Sequence, residues 1–539
     1  MSGAGGTAPV LDLARRLQQE RRWGDAATIF EHVLIVEPDR EDVRRALMQT
    51  HSASGRTLDA LKVLGELRAR HPDSVFAAQD MSEQTRPAIE RYNLHMRAND
   101  VEHAAPYASA LADLSPTNPL VLRTAMSCNQ TLGDMEAAGR YAEALLKLEP
   151  DNLSAHETMA EVCKARGDQA GDLDHRSRVA LVDRPGLHPL VRLKDIHDVA
   201  SGLLCRPLDE NALAELEKLL AAQGQYKVTE PEETGWPGWE RHYRLMLESI
   251  DLPAVLGPTP AAPPEPRTTF ADAAGQAMTW DDVTARADAV GAKVVFLVAA
   301  DEAYVAMYGR WYVRSVLKHC DVPCMVVVHV IGGGAGLARS AQVVDVQDDG
   351  LVFAGDDFDE AAVTTRVHDA PPRGMAAKPI GHFQSIRFLQ AGGLLRRLGR
   401  PLFISDIDLL LQRGVADLLD GNEGADLVFN ENEGSSNAGA RLTANLVLAY
   451  PTATTDAFFS FVSAYLSGML TRDHLTRWID QVALMLGRHH LLARHPQVQL
   501  RYFDVTLDIN NIMYRSWQEN PFRFLSLYHG FDMSSLQLD

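Results

Sequence analysis

The chain carries two rhythms of apolar and polar residues. From its start to about residue 185, apolar positions recur at helical spacing, punctuated by small and turn-forming residues at a fixed interval. Ala26, Ala60, Ala104 and Ala138 are 34, 44 and 34 residues apart, and Pro38, Pro72, Pro116 and Pro150 keep the same steps. Each alanine follows a turn signal: Trp23-Gly24-Asp25, Gly55-Arg56, Asn99-Asp100 and Gly133-Asp134. Each proline closes an apolar segment beside an acid or Asn, in EPDR, HPDS, SPTN and EPDN. This spacing predicts helix–turn–helix units, in which the small residue lets two helices approach closely and proline ends the second. Gly167-Asp168 lies 34 residues past Gly133-Asp134, so a fifth, degenerate unit is expected to end near Arg184-Pro185. The ten extra residues between the second and third units are expected to lengthen a helix around Asp80 to Asn93.

From residue 186 to 252 the pattern stays helical, notably over Asn211 to Leu220, but the period is lost, and Trp236 and Trp239 in GWPGW predict a packed corner. Six prolines between Pro253 and Pro266 predict an extended, semi-rigid connector over 253–268, the clearest domain boundary in the chain. Phe270 to Val290 is expected to be a docking helix. The rhythm then changes. Strands are expected at Lys293–Val298, Pro323–Val330, Leu402–Ile404, Asp426–Phe429 and Ala444–Ala449. Helices are expected over Tyr304–Lys318, Gly381–Leu395, Thr454–Leu470 and Arg477–Leu486. Such alternation predicts an α/β domain with a mostly parallel sheet over residues 269–539. Gly332-Gly333-Gly334-Ala335-Gly336 does not fit a dinucleotide fingerprint and reads as a flexible loop.

Length and composition narrow the class. At 539 residues the chain exceeds one ordinary core, and 46% hydrophobic with 23% charged residues is typical of soluble globular proteins. A formal charge of −20 without a long Lys/Arg block argues against a nucleic-acid partner. Five scattered cysteines fit a reducing compartment, and His319, Cys320 and Cys324 read as partly buried groups because no second Cys/His pair stands at ligand spacing. The start, MSGAGGTAPV, is not a secretory signal, and the longest apolar run, Val294–Ala300, is too short to span a bilayer, so a cytoplasmic protein without a transmembrane segment is expected. The 34-residue period resembles the tetratricopeptide repeat. That resemblance implies an all-α solenoid over residues 1–185, followed by a helical extension over 186–252. A stacked array of this kind presents a concave surface for a protein or glycan acceptor; the alternative is that it only supports the second half or mediates self-association.

Chemistry concentrates in PLFISDID, Pro401 to Asp408. After the apolar run, Asp406 and Asp408 stand two residues apart, positions that project to one side of an extended segment. Two carboxylates at the carboxyl end of a core strand sit where open α/β sheets bind ligands, and they suit a divalent ion and, through it, a diphosphate. Two exposed acids at a strand end are the competing reading. Asp-x-Asp also occurs at Asp172/Asp174 and Asp357/Asp359, but in polar GDLDH and GDDFDE stretches that read as solvated loops.

The segment His382 to Leu411, HFQSIRFLQAGGLLRRLGRPLFISDIDLLL, resembles the GT-A nucleotide-sugar glycosyltransferases, in which a helix carrying an arginine leads into the strand that ends in the metal-binding Asp-x-Asp. The likeness is to glycosyltransferase family 8, the glycogenin and bacterial galactosyltransferase group, and covers about Lys293 to Met533. Asn437-Ala438-Gly439 with Asn445 resembles its sugar-binding turn, Trp478-Ile479-Asp480-Gln481 its Asp-Gln pair, and His529-Gly530 its late metal-site histidine. Phe531-Asp532-Met533 replaces the Lys-Pro-Trp that often follows. The resemblance implies Mn²⁺ or Mg²⁺ on Asp406, Asp408 and His529, with Asp406 also near the ribose. It implies Asp301 and Tyr304 at the base, Lys378 and Arg387 at the phosphates or sugar, and Asn445 near the donor. It also implies Asp480 and Gln481 steadying an oxocarbenium-like transition state in a retaining transfer. Each has an ordinary alternative: helix-end acids for Asp301 and Asp480, a core tyrosine for Tyr304, solvated cations for Lys378 and Arg387, an interior or surface histidine for His529.

The expected function is a metal-dependent glycosyltransferase. It moves a sugar from a nucleoside diphosphate sugar, a UDP-sugar by preference, to a protein or glycan acceptor recruited by the repeats. Two other readings stand beside it: a non-catalytic repeat scaffold with a degenerate transferase domain, and a metal-dependent nucleotidyl or phosphoryl transferase.

Overall fold

The computed structural model describes residues 7–182, 189–223, 245–263, 267–359, 366–367, 380–433, 435, 437–472, 474–475, 478–509, 520–527, 531, 535–536 and 538. The chain divides into two compact units, Met1–Val182 and Asp183–Asp539.

The first unit is an all-α, tetratricopeptide-like array. Its helices are α1 (Ala8–Gln19), α2 (Trp23–Val36), α3 (Glu41–Ala53), α4 (Thr57–Arg70), α5 (Val75–Arg97), α6 (Val101–Leu114), α7 (Pro119–Thr131), α8 (Met135–Leu148), α9 (Leu153–Ala165) and α10 (Gln169–Leu181). The periodic residues explain the pairing. Pro38, Pro72, Pro116 and Pro150 each stand two residues past the end of α2, α4, α6 and α8, where a missing N–H and a fixed φ stop the helix. Ala26, Ala60, Ala104 and Ala138 lie at the helix contacts, none more than 1% exposed. The sharp turn inside each pair needs a left-handed residue, supplied at Arg21, Gly55, Asn99, Gly133 and Gly167 with φ between 55° and 77°. The ten-residue insertion is absorbed by α5, a single helix of 23 residues. Asp172 and Asp174 lie on α10, where each pairs with an arginine one turn on, so this stretch is helix and not loop.

The second unit opens with α11 (Pro189–Leu204) and α12 (Glu210–Gln223). Trp236 and Trp239 lie outside the described residues. Within the proline-rich stretch, Leu252–Leu256 forms a short helix, α13, capped by Asp251, where extended chain was expected. Proline in the first turn of a helix costs no hydrogen bond. Next come β1 (Thr269–Asp272), β2 (Ala277–Met278) and α14 (Trp280–Ala289). The expected docking helix is thus a hairpin followed by a helix. Asp272 accepts from the N–H groups of Ala274 and Gln276, Gly275 takes φ 78°, and the reversal lets Phe270 pack edge-on against Trp280.

Among the described residues, the remaining elements supply strands that join β1 and β2 in a nine-stranded sheet, with helices and two small ladders around it. They are β3 (Val294–Ala300), α15 (Arg310–His319), β4 (Cys324–Val330), α16 (Leu337–Val344), β5 (Leu351–Gly355), β6 (Arg366–Val367), α17 (Ile380–Leu398), β7 (Leu402–Ser405), β8 (Leu409–Leu411), α18 (Ala416–Gly421), β9 (Leu427–Glu431), α19 (Ala438–Arg441), β10 (Leu442–Ala449), α20 (Ala453–Met469), β11 (His474–Leu475), α21 (Ile479–Arg494), β12 (Leu500–Tyr502) and β13 (Phe524–Ser526). The strand order is β12-β9-β10-β7-β3-β4-β5-β1-β2. Strands β7, β3, β4 and β5 are mutually parallel, and every residue of β3 is buried, as a strand covered on both faces requires. Antiparallel pairing flanks this centre on both sides, β10 against β7 and β1 against β5, so the sheet is mixed, with β10 and β1 running against the other strands. Small ladders join β13 to β8 and β11 to β6.

The glycine run after β4 is tightly placed. Gly334 N–H donates to the Asp356 carbonyl at 2.9 Å, Gly332 N–H donates to the Asp356 carboxylate at 2.7 Å, and a Cβ at either glycine would meet a backbone oxygen at 2.7 Å. Glycine is there for close approach, and the flexible-loop expectation is corrected. His329 closes the arrangement with a buried 2.7 Å bond from Nε2 to Asp356.

Candidate functional site

Strands β3 and β7 are parallel neighbours, with Val298 opposite Ser405, so Asp301 and Asp406 emerge on one edge of the sheet. Asp406 to Leu409 is a turn, closed by a 3.2 Å bond from Leu409 N–H to the Asp406 carbonyl, and not the extended segment expected. The buried side chain of Ile407 belongs to the core beneath, which leaves the carboxylates on either side half-buried. Both main chains are tied down: Asp406 N–H donates to the Asn445 carbonyl at 3.1 Å, and Leu527 N–H donates to the Asp408 carbonyl at 2.8 Å.

The Asn445 contact comes from a bulge. In the pairing of β10 with β9, Thr443 faces Asn430 but Val447 already faces Phe429, which pushes the intervening residues of β10 out of register. Bulges re-aim backbone groups, and this one presents two carbonyls to the site. Ala444 offers its oxygen to Arg387 at 3.1 Å, and Asn445 offers its own to Asp406. The Asn445 side chain is occupied by a 2.8 Å bond from Asn430.

Arg387, buried on α17, organises the acids. Its guanidinium lies 2.6 Å from Asp406 and 3.4 Å from Asp480. Asp480 is the second residue of α21, only 2% exposed, and its Oδ1 has no hydrogen-bond partner among the described residues; neither has Arg387 Nε. Burial pushes the Asp480 carboxyl up to about 6, against the pull of Arg387 and with the help of Asp406. Asp408 is pushed up to about 7, first by loss of solvent and then by the charge of Asp406. Trp478, just before α21, holds φ 66°, a conformation a bulky residue adopts only when its surroundings enforce it.

The other expected residues fall around this centre. With its amide turned to satisfy both polar atoms, Gln481 donates to the Gly439 and Leu442 carbonyls at 2.9 and 3.2 Å, joining α21 to the Asn437-Ala438-Gly439 turn. Asn437 caps α19 by accepting from Gly439 N–H at 2.8 Å. Asp301 caps the helical turn Glu302–Tyr304, accepting from Tyr304 N–H at 2.8 Å. The exposed Tyr304 ring lies 5.6 Å from that of Tyr308, so it is not a core tyrosine. Lys378 and His529 lie outside the described residues.

The sequence reading missed Tyr308. It lies in a π-helical turn, Val305–Gly309, where burial and then the Asp408 charge push its phenol up. Its place four residues after Tyr304 was the available signal. The Ala444 carbonyl carried none, because a bulge depends on pairing between distant strands.

Asp406 and Asp408 stand close enough that the Asp406 charge raises the proton affinity of Asp408. Such a pair fits Mg²⁺ or Mn²⁺, which take few protein oxygens and complete their shells with water and substrate phosphates. Asp480, held by Arg387, does not join the pair to make a compact three-residue ligand set.

No protein-family model matches the chain, and no curated protein matches it. Solved structures match parts of it. PilW, a type IV pilus biogenesis factor, is 16% identical over 42% of this chain and 95% of its own, with a TM-score of 0.19. MamA from Desulfovibrio magneticus RS-1 is 11% identical over 33% and 95%, at 0.16. YrrB, described as a TPR protein with an unusual peptide-binding site, is 10% identical over 32% and 84%, at 0.16. At scores of this size the repeat architecture rests on the helix pairs themselves. Among the described residues no helix is long and apolar enough to cross a membrane.

Proposed function

We propose that the second unit is a metal-dependent glycosyltransferase of the GT-A kind, using a nucleoside diphosphate sugar, and that the repeats hold its protein or glycan acceptor. The observation that carries this reading is the joining of Asp406 and Asp480 by Arg387, with Asp408 beside them, at the carboxyl edge of parallel strands. Mg²⁺ or Mn²⁺ on Asp406 and Asp408, with His529 as a further ligand, supplies Lewis-acid stabilisation of charge on a leaving diphosphate. Arg387 fixes the Asp406 carboxylate for that task. Asp480 Oδ1, without a partner among the described residues, accepts a hydrogen bond from a sugar hydroxyl, and Gln481 locks the turn against which the sugar rests. Tyr304 and Tyr308 offer faces to the base, with Asp301 and Lys378 as further contacts.

Calorimetric titration with UDP, GDP and CMP, each with Mn²⁺ and with EDTA, tests the reading. Binding of one nucleotide that requires Mn²⁺ and disappears in Asp408→Asn supports it. A folded protein indifferent to all three overturns it in favour of the second reading, a repeat scaffold with an inactive α/β unit. That alternative draws on the helical array alone.

A further inference from the structure

His95 in the last turn of α5, Asp100 at the N-cap of α6 and His103 in its first turn meet where the two helices join. Asp100 has a duty shared along the array. Like Asp134 and Asp168, it caps the next helix by accepting from the N–H three residues on, that of His103, Ala137 or Gly171, at 3.2, 3.0 and 3.0 Å. Capping needs no histidine. Where the third unit has His95, the fourth and fifth have Asn129 and Cys163; where it has His103, they have Ala137 and Gly171. In the third unit alone of these, two imidazoles close on the carboxylate, His95 Nδ1 at 3.1 Å from Oδ2 and His103 Nδ1 at 2.9 Å from Oδ1. The rings stack with centroids 5.5 Å apart, and Tyr107 backs His95 at 6.1 Å. The backbone fixes the trio: Asp100 N–H donates to the His95 carbonyl at 2.9 Å, and Asn99 makes the reversal at φ 55°. One ligand atom from each residue lies within 4.8 Å of the others, which no other three His, Cys, Asp or Glu residues achieve among the described residues.

We propose that His95, Asp100 and His103 form a binding site for a divalent transition-metal ion of the Zn²⁺ class. Two imidazoles and a carboxylate suit Zn²⁺, Ni²⁺ or Cu²⁺, whereas Mg²⁺ and Ca²⁺ favour shells of oxygen. Tetrahedral bonds of about 2.0–2.1 Å place neighbouring ligand atoms roughly 3.3 Å apart. The two His–Asp contacts are already within a few tenths of an ångström of that. With the His103 side chain 68% exposed, water completes the shell and the ion exchanges freely with solvent. A metal ion takes the unprotonated imidazole nitrogen, so binding at this site weakens on acidification. Once bound, the ion staples α5 to α6.

The test is titration of the tag-free full-length chain, stripped with EDTA, with Zn²⁺ by calorimetry and with Co²⁺ by visible absorption. Two variants are compared with the parent: Asp100→Asn and the double His95→Ala/His103→Ala. Asp100→Asn keeps an oxygen for the helix cap, and far-UV circular dichroism checks that the array stays folded. Both variants are expected to lose one equivalent of the tightest binding, with affinity falling more than about tenfold. The Asp406→Asn/Asp408→Asn variant is expected to keep it. If the parent binds Zn²⁺ no more tightly than the double-histidine variant, the proposal fails. It fails equally if the equivalent is lost with Asp406 and Asp408 instead.

Discussion

Arg387 is the residue on which the centre of the second unit turns. It is buried, contacts Asp406, Asp480 and the Ala444 carbonyl, and has no competitor for Asp480 among the described residues. Removing one partner of a buried ion pair leaves the other charge uncompensated, at a cost of about 3–5 kcal/mol. Arg387→Met is therefore expected to lower the unfolding free energy of this unit, read by urea titration, by that order. Adding Asp480→Asn removes the stranded charge, and most of the loss is expected to return. Arg387→Lys keeps the charge without the planar fork and falls between. Equal destabilisation of the single and double variants would show that the ion pair is not what holds α17 to α21. Much of this centre was legible: an arginine-bearing helix, a strand ending in Asp-x-Asp and a later Asp-Gln pair all stand in order in the sequence. What was not legible was the conformation that joins them, since Asp406–Leu409 turns to bury Ile407, a choice made by the core beneath.

At the scale of elements, the legible features were those whose cause is local. Helix pairs declare themselves through a proline, a small residue and a left-handed turn at fixed spacing, while β3 and β4 declare themselves through unbroken apolar runs. Strand β1, read as helix, owes its form to pairing with β5, some eighty residues on in sequence by roughly the ladder seen here, Thr269 opposite Gly355. The bulge in β10 is non-local in the same way. Helix α21 supplies a pH-dependent test. His489 on α21 is buried and donates from Nε2 to the Leu204 carbonyl at 2.6 Å, which ties α11 to the α/β layer. Burial lowers its pKa to about 4, opposed by that hydrogen bond. Above about pH 6.5 the ring is neutral in folded and unfolded chains alike; between there and about pH 4 only the unfolded chain takes up the proton, so stability falls with pH. From pH 7 to pH 5 the loss expected from this group is about 2 kcal/mol. His489→Gln retains an N–H donor and does not titrate, so the gap between variant and parent should narrow or reverse on acidification. Parallel stability curves would remove His489 as the cause. A second group adds its own slope: the His329 bond and neighbouring N–H groups outweigh burial and lower the pKa of Asp356, so its contribution is lost as pH falls through the acid range. Asp356→Asn separates that slope from the one due to His489.

At the scale of the whole molecule, each unit has hydrophobic clusters of its own among the described residues: Leu11 to Val121 and Tyr92 to Cys163 in the first, Ala271 to Leu538 in the second. A chain built on separate cores unfolds in more than one step when the cores are not energetically coupled. Calorimetric unfolding is therefore expected to show two transitions, and point variants can assign them. Ala138 is fully buried at a helix contact, and Gly139 beside it has a Val162 methyl 3.1 Å from where a Cβ would stand. Ala138→Leu overpacks that contact, a change that costs about 1–3 kcal/mol. Gly334→Ala sets a methyl against the Asp356 carbonyl in the other unit, with a cost of the same order, about 1–3 kcal/mol. Each variant is expected to lower one transition by several degrees and leave the other in place. Zn²⁺ should raise only the transition that Ala138→Leu lowers, because His95, Asp100 and His103 lie in that unit; UDP with Mn²⁺ should raise only the other. A ligand stabilises the unit whose folded state binds it, by an amount that grows with the logarithm of ligand concentration over its Kd, so the two shifts report separately on the two sites. A single transition that moves as one with either variant would mean that the cores fold together, and neither ligand shift could then be assigned to its own unit.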